Sequence, residues 1–135
     1  MSAAGLEFLV GTTSDPLVGP MLTVGLGGTT TDVVDDRSHC LVPPTEDDLD
    51  QVLAHLRSGQ RLLGRPDAAE LRARVRGVAA RLSWLADRFP EVAEAEINPL
   101  VVTTDSGVAV DVRIRIAPSG RSTRWCVSCR PDEEE

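Results

Sequence analysis

Glu94-Ala95-Glu96-Ile97-Asn98-Pro99-Leu100, followed by Gly107-Val108-Ala109-Val110-Asp111-Val112-Arg113-Ile114-Arg115-Ile116, is the stretch on which the reading of this chain turns. Side chains on an extended strand switch faces at every residue. Glu94, Glu96 and Asn98 therefore share one face of the first run, and Ala95 and Ile97 the other. In the second run Val108, Val110, Val112, Ile114 and Ile116 fall together, opposite Ala109, Asp111, Arg113 and Arg115. The connector Thr103-Thr104-Asp105-Ser106 consists of turn residues, which predicts an antiparallel hairpin with Asn98 opposite Asp111. Glu96, Asn98 and Asp111 then converge away from the aliphatic face. Such oxygen donors suit Mg²⁺, a hard cation that takes one or two carboxylates and completes its shell with water and phosphate. The competing reading is a solvated outer face, with Arg113 and Arg115 paired to Asp111 and the glutamates. On pattern alone this second reading is the stronger.

Working outward, 135 residues make one domain large enough for a core. With two Phe, two Trp and no Tyr, that core must be aliphatic. The net charge of −7 argues against nucleic acid as a partner, although Asp132 to Glu135 carry part of it. All 14 basic side chains other than His are Arg, so a Lys point charge on a phosphate cannot come from this chain. No apolar run approaches a membrane span and Met1 to Gly5 lacks a signal peptide's regions, which predicts a cytoplasmic protein with reduced thiols.

Strands are expected at Leu6–Val10, Met21–Val24, Thr29–Val34 and Ser38–Val42, with Thr12 to Pro20 a loop. Gly25-Leu26-Gly27-Gly28 between two of them is either a phosphate-approaching nest or a tight turn. The spacing fits neither the P-loop nor the dinucleotide fingerprint. Thr45 is the expected N-cap of a helix whose buried stripe is Leu49, Val52, Leu53 and Leu56, stopping near Ser58-Gly59. Asp67 is the expected cap of a longer helix with Leu71, Val75, Val78, Leu82 and Leu85 inward, ending near Phe89-Pro90. The arginines at 72, 74, 76 and 81 fall mostly on its wet side. Cys126-x-x-Cys129 is half of a zinc site or a redox pair. The remaining zinc candidates are His39, Cys40 and His55, and His39 and Cys40 on one strand point to opposite faces.

The ordered set of these pieces resembles the ATP-grasp region of the ADP-forming (NDP-forming) acyl-CoA synthetases. The pieces are Gly5 to Gly11, Asp15-Pro16, Gly19-Pro20, the glycine cluster, Pro43-Pro44-Thr45 opening a helix, and above all the hairpin with Glu96-Ile97-Asn98-Pro99-Leu100. The succinyl-CoA synthetase β subunit carries a similar hairpin. The resemblance covers roughly residues 5 to 117. It implies an α+β fold, an antiparallel sheet with two helices on one face, forming half of an ATP-grasp fold. The expected division is an N-terminal extension to residue 5, the C-terminal ATP-grasp subdomain over 6–117, and a polar, acidic tail over 118–135.

For function, the resemblance implies an acid–CoA ligase component using Mg²⁺ and ATP or ADP. Asn98 and Asp111 would hold the metal. Glu96 would be a catalytic or phosphohistidine-facing carboxylate, and Gly25, Gly27 and Gly28 would lie near the nucleotide. A complementary synthetase half is the implied partner: the subdomain that covers adenine and supplies the phosphate-binding Lys is absent, as are the CoA-binding domain and the catalytic His loop. Neither His39 nor His55 occupies a matching position. The family usually has Glu at Asp32, commonly Arg at Cys40, and a longer basic run where this chain has Gly64-Arg65-Pro66. Losing those basic groups is expected to weaken the phosphate cradle. The alternative is a degenerate, non-catalytic relative acting as a binding or regulatory module.

Overall fold

In a computed structural model, residues 5–26, 36–57, 59 and 64–119 are described. The elements run β1 (Leu6–Asp15), β2 (Gly19–Leu26), β3 (Arg37–Leu41), α1 (Glu46–Ala54), α2 (Ala68–Arg88), β4 (Val92–Val102), β5 (Gly107–Ala109) and β6 (Val112–Ile116). The expected strand over 29–34, Gly27, Gly28, Asp32, Ser58 and Cys126 and Cys129 lie outside the described residues.

All pairings are antiparallel, in the order β3-β2-β1-β4, with β5 and β6 both on the far side of β4. The fold is the α+β arrangement expected, because one face of the sheet is apolar and both helices cover it. Phe8, Val10, Leu22, Val24, Ala95, Leu100 and Val102 meet Leu49, Val52, Leu53, Leu56, Leu71, Val75, Ala79 and Leu82 in a single core. The α1 stripe is buried as read. On α2, Val78 and Leu85 are only partly buried at the margin of the core. Burial of side chains this large supplies the main stabilising term, roughly 25 cal/mol per Å² of apolar surface.

α1 begins where the sequence places it. Thr45 Oγ1 accepts the Asp48 N–H at 3.1 Å, and Asp48 Oδ2 accepts the Thr45 N–H at 2.8 Å, a reciprocal capping box. Hydrogen bonding to the carboxylate from the Thr45 backbone N–H first, and from the Thr45 side chain second, holds the Asp48 carboxyl below its usual range. A depressed folded pKa means that the cap's contribution is complete above the unfolded value and fades as pH falls through the folded one. Thr45→Ala is expected to cost about 1 kcal/mol at neutral pH, and the deficit relative to wild type should shrink on acidification below about pH 4. Paired urea titrations at the two pH values measure this.

Several expectations need correction. β1 does not stop at Gly11: Thr12 to Asp15 continue it, so the expected loop shrinks to Pro16–Val18. Asp15 Oδ1 accepts the N–H groups of Leu17 and Val18 at 2.7 and 3.1 Å, and Gly19 takes φ 85°, closing the hairpin tightly. α1 ends at Ala54, short of Ser58-Gly59, with His55 exposed at its C-cap. Asp67 makes no capping bond, because Arg65 engages both its oxygens at 2.8 and 2.9 Å. Arg72 and Arg76 are not simply wet: they reach Asp50 of α1 at 3.8 and 3.3 Å and tie the helices together.

The alternation along the hairpin also breaks. Ala95 and Ile97 belong with the core, but so do Leu100 and Val102, which have the opposite parity. The β1–β4 register shifts between Phe8 and Val10, which places an extra residue of β4 at Asn98–Pro99. Pro99 has no N–H for a ladder bond, and its carbonyl instead accepts Val110 N–H at 3.0 Å. The partner strand reverses phase at the same level. Val108 therefore shares a face with its partner Val101, while Val112 and Ile114 share the helix-bearing face with Ile97 and Ala95. The five aliphatics do not form one face as expected. They also remain half-exposed or more.

Candidate functional site

The face away from the helices is assembled in rows across the sheet. One row runs His39–Thr23–Gly11–Glu96–Arg113, and the next Leu41–Met21–Thr13–Glu94–Arg115. A third begins Arg37–Gly25–Leu9 and reaches the bulge at Asn98–Pro99. Asn98 N–H donates to the Asp111 carbonyl at 3.0 Å, so these two are the cross-strand neighbours the hairpin predicted. Opposed residues of an antiparallel pair hold their Cβ atoms about 4.5–5.5 Å apart.

Glu94, Glu96, Asn98, Asp111, Arg113 and Arg115 thus share the open face. Some of the local pairing expected of a solvated face is also present. Arg115 Nε lies 3.4 Å from Glu94 Oε2, and Arg113 Nε 3.9 Å from Asp111 Oδ2. The second contact is long, between side chains 81% and 59% exposed, and contributes little in water. It leaves the Asp111 carboxylate available to another cation.

The donor chemistry suits Mg²⁺ bound through a ligand's phosphates. No group of three or more His, Cys, Asp or Glu able to hold a metal occurs among the described residues. A carboxamide and one carboxylate supply two oxygens at most from this hairpin, and the remaining positions of an octahedral shell fall to phosphate and water. Glu96 lies one row away from this pair, opposite Gly11 and half-buried.

Gly25, of the glycine candidates, sits in β2 between Leu9 and Arg37 on this same face. A Cβ there would stand 3.0 Å from the Asp36 carbonyl and 3.1 Å from Arg37 Cγ. The close approach of β3 is thus a packing reason for glycine that needs no ligand. Gly27 and Gly28 lie outside the described residues.

Cys40 changes the account of the phosphate cradle. It pairs with buried Leu22 and packs against the core from the helix side. Burial first, and the charge of Asp48 second, push its thiol pKa up. The expected loss of a basic group at this position does not touch the open face. Arg37 and His39 flank it there instead, as the alternation of β3 requires. Arg37 gave no signal as a site residue in the sequence, because only the register of β3 reveals which way it faces.

An ATP-grasp domain model matches residues 1–116, and the chain belongs to that family. It is 31% identical over 118 residues, 84% of this chain and 50% of the other, to the β subunit of acetate–CoA ligase (ADP-forming) I from Pyrococcus furiosus. It is likewise 31% identical over 117 residues to 4-hydroxybutyrate–CoA ligase (ADP-forming) from Nitrosopumilus maritimus, again 84% of this chain but 17% of that one. The chain therefore spans half or less of the length of these curated relatives. Among solved structures, PH1788 from Pyrococcus horikoshii superposes with TM-score 0.75 at 28% identity, covering 87% of this chain and 51% of that one. A dinucleotide-forming acetyl-coenzyme A synthetase from Ca. Korarchaeum cryptofilum, crystallised with coenzyme A and Mg-AMPPCP, shares the fold with TM-score 0.74 at 24% identity, covering 87% and 55%.

Proposed function

We propose that this chain supplies the Mg–nucleotide phosphate site of an ADP-forming acid–CoA ligase whose remaining parts come from a complementary synthetase half. The observation that carries the reading is the pairing of Asn98 with Asp111 on the open face of a partial ATP-grasp sheet. Family membership and the relatives' shared description as ADP-forming CoA ligases support it.

In this reading Asn98 and Asp111 hold Mg²⁺, which when bound neutralises phosphate charge and fixes the geometry for phosphoryl transfer. Glu96 faces the transferred group and positions it. The sheet supplies a rigid floor that excludes water from one side of the nucleotide. The chain carries no Lys, so that point charge must arrive on the partner. No helix among the described residues is long and apolar enough to cross a membrane.

Mg-ATP titrated into the chain together with a complementary synthetase half should raise the melting temperature, by the mass-action stabilisation of a ligand that binds only the folded state. The same titration with ATP and EDTA should not. Absence of any Mg-ATP shift in the presence of the half would overturn the reading in favour of a degenerate, non-catalytic module.

A further inference from the structure

We propose that the chain's own C-terminal segment, residues 120–135, docks in the groove between α2 and the β4–β5 flank, with Trp125 in its apolar part and Asp132 to Glu135 at its basic end. The inference concerns the helix-bearing side of the sheet and is independent of the phosphate reading of the open face. The segment lies past residue 116, where the family match stops.

The groove is apolar over most of its length. Val78, Leu82 and Leu85 of α2 face Ile97, Leu100 and Ala109 across it, and its volume of about 520 Å³ accommodates a large aromatic side chain. Trp84 lines it too and is 62% exposed. The apolar surface continues onto β6, where Val112 and Ile114 share the face of Ile97 and Ala95 yet are 50% and 52% exposed. A contiguous uncovered surface of this kind marks a contact site.

At one end the groove turns basic. It shares Val78, Arg81 and Gly107 with a second depression, which Arg74, Gly77 and Thr104 also line. Arg74 donates Nε to the Thr104 carbonyl at 2.8 Å, which holds its guanidinium against the β4–β5 turn. Arg81 is exposed. Against these two arginines stands one carboxylate, Glu70, a turn before Arg74 on the helix.

The order of the chain selects the occupant. β6 ends at Ile116, opposite Val92, and Ala117 N–H donates to the Glu91 carbonyl at 2.8 Å. The backbone thus leaves the sheet just past the end of α2, where Phe89 meets Trp84 edge-on at 6.1 Å. Pro118, Ser119 and Gly120 are turn residues, suited to sending it back along the groove. From that end the groove offers apolar surface first and arginines second. The segment presents Trp125-Cys126-Val127 first and Asp132 to Glu135 second. Along α2, Trp84 lies about 15 Å from Arg74, and the stretch from Trp125 to Asp132 reaches about 23 Å when extended. So short a tether sets an effective concentration on the order of millimolar, at which a shallow groove suffices.

The test uses the full chain with Trp84→Phe, which leaves Trp125 as the sole indole of the two in the sequence. Its emission should be blue-shifted, and its quenching by acrylamide slowed, relative to the same protein in urea. Ile114→Asp, which puts a charge into the apolar strip, should return both to the values in urea. Val112→Ser is a milder second disruption of the same strip, and circular dichroism checks that each variant is folded. Arg74→Gln combined with Arg81→Gln should expose Trp125 in part, as should raising the salt to about 1 M. Leu41→Ser, on the open face at the opposite edge of the sheet, should change nothing.

A Trp125 that emits and quenches as it does in urea would overturn the proposal and leave the strip to a partner chain. So would shielding that survives both Ile114→Asp and Val112→Ser in folded protein. Shielding that grows with protein concentration would overturn it in favour of a second copy as the occupant.

Discussion

Asp111→Ala, in the chain combined with its complementary half, is expected to lower Mg-dependent nucleotide affinity and any acyl-CoA-forming turnover by about 100-fold, the several kcal/mol that a metal's charge stabilisation supplies. Asp111 is the carboxylate of the proposed pair, and Mg²⁺ is usually held through only one or two such groups. Losing it leaves Asn98, a neutral donor, facing a dication. The fold should hardly notice: the side chain is 59% exposed, Arg113 approaches it only to 3.9 Å, and substitutions at such sites usually stay within about 0.5 kcal/mol. Asp111→Asn keeps the shape and removes the charge, so it should fall between wild type and Ala. Glu96→Gln should instead reduce turnover with Mg-ATP affinity retained, because Glu96 lies in the neighbouring row. The measurement is Mg-ATP affinity and turnover for the three variants at matched melting temperature. An affinity for Mg-ATP that does not change on removing the Asp111 carboxylate would refute its role as a ligand.

How much of this was readable in the amino-acid order depends on where the information sits. The hairpin pairing was legible because a short connector and a period-2 pattern determine a register together, and Asn98 did meet Asp111. The helix stripes were legible for the same reason at a period of 3.6. Thr45 was readable as a cap, since Asp48 three residues on completes its box; Asp67 was not, because Arg65 two residues back competes for the same oxygens.

What the pattern could not show was any event in which two strands change phase together. The extra residue at Asn98–Pro99 moves Leu100 and Val102 into the core and sends Val108 and Val112 to opposite faces, while the Asn98–Asp111 pairing survives. The length of β1 was hidden by Thr12-Thr13-Ser14, polar residues that read as a loop yet are β-compatible when flanked by β2 and β4 on both sides. The basic side of the open face was hidden as well. Arg37 and His39 acquire a direction only once β3 is laid against β2, and comparison by position alone drew attention to Cys40, which faces the other way.

Phe8→Ala should be the most damaging single truncation for stability. Phe8 is 1% exposed and lies opposite Leu26 on β2 and Leu100 on β4, in the sheet layer that both helices cover. Removing the ring forfeits its transfer from water and leaves a cavity that the flanking strands cannot close without breaking their ladders. Such changes cost about 3–5 kcal/mol, against a total of about 5–15 kcal/mol for a domain. A drop of about 10–25 °C in melting temperature follows from the entropy of unfolding at this size. Ile116→Ala serves as the contrast: it removes a large aliphatic group from an end strand, but that group is 65% exposed, and little contact is lost. Thermal melts of the two variants separate the layers of the fold. If Phe8→Ala melted no lower than Ile116→Ala, the packing of both helices on one face of the sheet would be the wrong account of what holds the open face rigid.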